Sequence, residues 1–317
     1  MLAKNKRLIL IISVICAVLA IGVGCFFGIR HHLENEITFT VRDTLPDGGG
    51  KAATVILLGG QSNASGWSLD AYLEKNVSPE KYAEYQAGYD NVYINYQSGL
   101  TNASQEFVKC ATLQGELPGS FGPELGLAER LHELYPDRTF FIIKCAWGGT
   151  DLFSQWLSPS SKGKTGDLYR QFTAFVKTSV EYLISKNYDI KIEGMCWMQG
   201  ESDSFSVENS LAYGEHLGNL IKDLRKDLSL YSPADGFAFA DAYIAANPVF
   251  WVYYENVNEG KREVARQSPL NVLVDTIAAG LITTEEPEEG PDVPHYDSLS
   301  EIKLGHLFAE KLSPFLD

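Results

Sequence analysis

An α/β fold, a three-layer α/β/α sandwich on a mainly parallel five-stranded sheet, is predicted by three features of this 317-residue chain. Apolar runs of strand length recur along it, amphipathic helical segments separate them, and several runs end in polar turns that carry glycine. Strands that are apolar at nearly every position fit a sheet buried on both faces, as a parallel sheet covered by helices is. Ligands of such sheets bind beyond the carboxyl ends of the strands. The polar turns are therefore where chemistry is expected.

Taken in order, residues 1–30 open with Lys4, Lys6 and Arg7 and continue into residues 8–29, which carry no charge. At about 1.5 Å per helical residue this stretch matches a hydrocarbon core of about 30 Å. It predicts one transmembrane helix whose basic side stays in the cytoplasm. Partnership with a membrane and an anchored, extracytoplasmic domain follow; the alternatives are secretion after signal cleavage and a lipoprotein processed at Cys25. Residues 31–51 are polar, end in Asp47-Gly48-Gly49-Gly50, and read as a linker with a flexible end. The domain is placed at 52–317. Its strands are predicted at 54–58, 139–146, 190–198, 236–242 and 271–278. Helical periodicity covers 123–135, with Pro123 at its start, then 167–185 and 207–228. Ser298-Leu299-Ser300-Glu301 offers a capping box for a last helix to Leu312. Residues 69–117 are mostly polar and are assigned no regular element.

A formal charge of −15 argues against a nucleic-acid partner, since phosphate binding takes clustered Lys and Arg. Cys16 and Cys25 fall in the apolar stretch, leaving Cys110, Cys145 and Cys196 in the domain. The last two sit in strand patterns and read as buried free thiols. No CxxC or HxxxH spacing suggests a metal, no cofactor is implied, and nothing in the sequence sets an oligomeric state.

The chemistry centres on Val55-Ile-Leu-Leu-Gly-Gly-Gln-Ser-Asn-Ala-Ser-Gly66, where an apolar strand delivers Ser62 into a tight polar turn. Alone, Ser62 would read as a turn serine. A serine nucleophile needs a base, a group that orients the base, and donors for an oxyanion. Of the six histidines, His295 sits in a loop three residues after Asp292, which can fix its tautomer and leave the other ring nitrogen for Ser62.

Five blocks taken together resemble the SGNH/GDSL hydrolase superfamily, and within it the sialate O-acetylesterase-type domain shared with acetylxylan esterases of the sixth carbohydrate-esterase family. They are Gly60-Gln61-Ser62-Asn63, Gly122-Pro123-Glu124, Ala146-Trp147-Gly148-Gly149-Thr150, Trp197-Met198-Gln199-Gly200-Glu201-Ser202-Asp203 and Asp292-Val293-Pro294-His295. The resemblance implies an oxyanion set of the Ser62 and Gly149 amides with the Gln199 side chain, and offers Glu201 as an alternative to Asp292 as the orienting acid. Gln61, Asn63, Trp147 and Gly148 are expected at the substrate; Trp67, Trp147 and Trp156 could stack on sugars or pack in the core. The implied activity is a carbohydrate O-acetylesterase acting on acetylated xylan-type polysaccharide or O-acetyl sialic acid through an acyl-enzyme. The alternatives are a lipid or thioester hydrolase of the same superfamily and a non-catalytic glycan-binding domain.

Overall fold

The computed structural model of the protein describes residues 38–316. The predicted membrane helix lies outside the described residues. Among those described, no helix is long and apolar enough to cross a membrane.

Ten strands form in chain order: β1 (Ala52–Gly60), β2 (Ser68–Leu69), β3 (Val92–Ser98), β4 (Asn102–Ala103), β5 (Val108–Lys109), β6 (Ser120–Phe121), β7 (Thr139–Ala146), β8 (Asp189–Met198), β9 (Ala238–Ala242) and β10 (Asn271–Val274). The main sheet has the order β10-β9-β8-β1-β7-β3-β4, with β5 also on β3, while β2 and β6 make a separate pair. From β10 to β3 every pairing is parallel. The five expected strands are all present. β3 is a sixth parallel strand in the stretch left unassigned, because its polar residues hid it. Val92 and Ile94 are buried as in any core strand, but Asn95 and Ser98 are buried too, and Asn95 satisfies its amide on Ser179 and Ser104.

The helices are α1 (Ser62–Ser65), α2 (Asp70–Asn76), α3 (Pro79–Ala87), α4 (Glu124–Leu134), α5 (Asp167–Ser185), α6 (Val207–Asp227), α7 (Tyr254–Ala265) and α8 (Ser298–Leu312). Ile56 and Gly59 lie on opposite faces of β1, since side chains alternate along a strand. A methyl group added at Gly59 would meet Phe172 of α5, whereas one added at Gly194, beside Ile56, would meet Leu312 of α8. Hence α5 covers one face and α8 the other, which completes the three layers. Trp197, on the α5 side, reaches Tyr213 of α6. α4 packs on α8 so closely that a Cβ at Gly126 would stand 2.0 Å from the Ile302 carbonyl oxygen.

Two local readings are corrected. The capping box at α8 does not form: Asp297 is the N-cap residue, Glu286 takes the Ser298 amide instead, and Glu301 is fully buried, where burial pushes its carboxyl well up. The part of the presumed linker from residue 38 onward is packed onto the domain. Phe39 meets Phe175 edge-on at 5.0 Å, the Leu45 amide donates to Tyr182 Oη, and the Gly48 and Gly50 amides bond the end of α5 at Lys186 and Asn187. Residues 38–316 form one compact unit.

Candidate active site

Register brings the turns together. Gly60, the last residue of β1, pairs with Ala146 of β7 on one side and with Met198 of β8 on the other. The three strands end at one level, so the turns that begin at Gln61, Trp147 and Gln199 start side by side. Gly60 has φ +138, and a Cβ there would stand 2.0 Å from the Met198 carbonyl oxygen. Only glycine fits so close an approach.

Ser62 opens α1 beyond this point, 6% exposed. The first amides of a helix have no carbonyl four residues back to bond, which leaves the Ser62 N–H unspent. His295 Nδ1 lies 2.7 Å from Asp292 Oδ2, and its ring stacks on Trp67 with centroids 4.4 Å apart. The bridge between the Ser62 turn and the His295 loop is Asn63. Its amide nitrogen donates to Glu201 Oε1 at 2.8 Å and to the Pro294 carbonyl, while its carbonyl oxygen accepts from the Tyr296 amide at 3.1 Å. Asn63 thus grips the backbone on both sides of His295. No hydrogen bond joins the Ser62 hydroxyl to His295 among the described residues; such contacts commonly tighten only when substrate arrives.

Asp292 and Glu201 are sorted by contact. Asp292 holds the imidazole and is itself half exposed. Glu201 is buried on Asn63, its Oε2 has no partner among the described residues, and burial pushes its carboxyl up against the pull of the Asn63 N–H.

In the β7 turn the Trp147 amide bonds the Gly60 carbonyl and the Gly148 amide bonds Glu116 Oε2 at 2.9 Å. The Gly149 amide has no partner among the described residues. Gly149 is exposed, has φ +68, and has open space where a side chain would stand.

The Gln199 side chain, expected as an oxyanion donor, is bonded within the protein. It is fully buried, and its amide nitrogen is spent on Thr150 O at 3.0 Å and Asp203 Oδ2 at 2.6 Å, with Gln61 Oε1 at 3.3 Å. Its own oxygen accepts from Tyr213. Asp203 also takes the Leu152 and Phe153 amides; burial, reinforced by Asp151, pushes it up to about 7 against those hydrogen bonds. The expected substrate contacts at Gln61, Asn63, Trp147 and Gly148 are all on buried residues. Gln61 accepts from the Gly200 and Ser202 amides, and Trp147 and Trp156 are core. Polar groups at strand ends are consumed in tying neighbouring loops together, because a buried polar atom left unpaired is costly.

The open surface beside His295 is instead a cavity of about 180 Å3 lined by Trp67, Leu69, Leu117, Glu286, Pro287 and Asp292 among others. Its charged lining is acidic, with no Lys or Arg among the described lining residues. From sequence the acidic run at 285–289 reads as a solvated loop or as the rim of a site beside Asp292, and Glu286 and Pro287 do line the cavity there; Glu116 and Leu117 were missed. The only trace was the turn-like run Gly115-Glu116-Leu117-Pro118-Gly119, which has no periodicity to mark it. The described residues also hold no cluster of ligating side chains for a metal. Cys110, Cys145 and Cys196 are free and buried.

Residues 52–313 match the family described as carbohydrate esterase, sialic acid-specific acetylesterase. A probable 9-O-acetyl-N-acetylneuraminic acid deacetylase of Escherichia coli K12 is 25% identical over 194 residues, which is 55% of this chain and 57% of that protein. The chain therefore spans little more than half the length of that relative. Among solved structures, an Arabidopsis thaliana protein superposes with a TM-score of 0.60 at 20% identity, over 86% of this chain and 100% of the other. NanS superposes at 0.61 and 17% identity, over 86% of this chain and 99% of its own. At such identity these two likenesses speak for the fold.

Proposed function

Since the chain belongs to the carbohydrate esterase, sialic acid-specific acetylesterase family, we propose that it removes O-acetyl groups from carbohydrates with Ser62 as nucleophile. The observation that carries this reading is the Asn63 clamp, which fixes the backbone on both sides of an Asp292-bound His295 while sitting next to Ser62. Ser62 Oγ attacks the acetyl carbonyl as its proton passes to His295 Nε2. Asp292 keeps the other proton on Nδ1 and stabilises the imidazolium. The Ser62 and Gly149 amides receive the oxyanion. The sugar alcohol departs with the proton from His295, and water, activated by the same imidazole, releases acetate from the acyl-enzyme.

The acidic lining favours a neutral acetylated sugar, such as a xylan-type polysaccharide, over O-acetyl sialic acid. A sialate carboxylate would meet Glu286 and Asp292 with no cation in the described lining to offset them. The uncharged stretch at residues 8–29 behind a basic flank supports holding this domain on the outer face of a membrane.

The test is acetate release from acetylated xylan and from O-acetyl sialic acid by the protein and by Ser62→Ala. Release from xylan that falls at least about 10^3-fold in the variant is expected. Preference for the sialate would overturn the neutral-sugar reading, and release that ignores Ser62→Ala would overturn the serine mechanism.

A further inference from the structure

We propose that Glu116, a residue of the polar stretch between Ser62 and α4, is a positioning residue that sets both the oxyanion turn and the plane of the imidazole; the inference rests on the serine mechanism above. A single carboxylate oxygen, Glu116 Oε2, accepts from Ser65 Oγ at 2.5 Å, from Gly148 N at 2.9 Å and from Trp67 Nε1 at 3.1 Å. Each donor belongs to a different working part. Ser65 closes the turn that carries Ser62, and its hydroxyl also lies 3.2 Å from the Ser62 carbonyl. Gly148 is the residue before the free Gly149 amide. Trp67 is the surface on which His295 stacks.

The neighbourhood is shaped around this carboxylate. A Cβ at Gly148 would stand 2.9 Å from Oε2, and one at Gly99, just past β3, 2.6 Å from Oε1. The Glu116 amide is in turn fixed on the Gly66 carbonyl at 2.8 Å. All three partners are donors, so the position calls for an acceptor that offers no competing N–H. A carboxylate meets that demand and makes charge-assisted bonds; an amide keeps one oxygen for the three donors but loses the charge. Without the Oε2 contacts, the Gly148–Gly149 turn and the Trp67 indole lose their common anchor, while the cavity walls other than Trp67 stay in place. The effect belongs in the chemical step rather than in binding, where displacement of about 1 Å can cost about 100-fold.

The experiment compares the protein with Glu116→Ala, which removes the shared acceptor, on 4-nitrophenyl acetate and on acetylated xylan. Glu116→Gln, which keeps one oxygen for the three donors and should restore most of the rate, and Ser62→Ala run alongside, with thermal unfolding of each. We expect kcat of Glu116→Ala to fall about 10- to 100-fold, KM to stay within about twofold, and the melting midpoint to move by only a few degrees. An unchanged kcat in a protein whose rate does depend on Ser62 overturns the assignment alone; a rate indifferent to Ser62→Ala sinks the serine mechanism and this assignment with it. A loss shared between kcat and KM and accompanied by unfolding would mark Glu116 as merely structural. If Glu116→Ala does not fold, Ser65→Ala and Trp67→Phe each remove one donor. A lower kcat at constant KM in either supports the proposal, and unchanged kcat in both overturns it.

Discussion

Two carboxylates close to one histidine invite confusion about which of them orients it, and contact distance separates them. Asp292 meets Nδ1 at 2.7 Å, whereas Glu201 spends its bonded oxygen on Asn63. Asp292→Asn should therefore lower kcat by about 10^3- to 10^4-fold, because the imidazole loses both its tautomer and its counter-charge. Glu201→Gln keeps an oxygen for Asn63 and should cost no more than about tenfold. Steady-state kinetics of the two variants on one substrate decides it; a larger loss in Glu201→Gln would reverse the roles. At this scale the place of Ser62 beyond a strand end and the Asp292–His295 contact were legible, since a strand-end serine and an Asp-x-x-His loop are local patterns. Gln61, Asn63 and Gln199 were legible as strand-end polar residues, but not the loops that their side chains bond. Whether an amide faces a ligand or a neighbouring loop depends on groups well over a hundred positions away.

Among the elements, α3, α4 and α8 meet at one buried carboxylate. Glu129 of α4 accepts from Lys81 and Tyr85 of α3 and contacts His306 of α8 at 2.7 Å. Burial alone would raise this acid, but those partners outweigh it and hold it at about 2. Its folded value thus lies below the unfolded one, so the stability it contributes is present above about pH 4.3 and is lost as pH falls toward 2. That loss should be on the order of 3 kcal/mol. Denaturant midpoints measured from pH 5 to pH 2 should fall steeply in the protein and less steeply in Glu129→Gln, which starts lower at pH 7; parallel slopes would sink the idea. Of these three helices only α4 and α8 were visible beforehand. Their apolar residues recur at helical spacing, while α3 is a polar helix with one buried residue, Tyr85, and periodicity has little to act on there.

On the scale of the molecule, the domain begins earlier than its first strand. Phe39 and Leu45 pack on it, and Arg42 pairs with Glu106 and bonds the Ser104 carbonyl. A fragment starting at Ala52 forfeits these contacts. Burying one large apolar side chain is worth about 2 kcal/mol, so its thermal midpoint should lie about 4–8 °C below that of a fragment starting at Thr38. Equal midpoints would show that the segment only lies on the surface. Glycines and polar residues made it read as a tether, and its backbone bonds to the end of α5 leave no mark in composition. The parallel order of the sheet was legible from continuous apolar runs, but the position of β3 at its far side was not. The Asn63 clamp has a further consequence, in the timing of synthesis. Asn63 and Tyr296 are 233 positions apart, and at roughly 5–20 residues per second the ribosome takes about ten to fifty seconds to travel between them. Through that interval Ser62 is made without His295 beside it, and the Asn63 clamp can close only once the chain past Tyr296 has emerged.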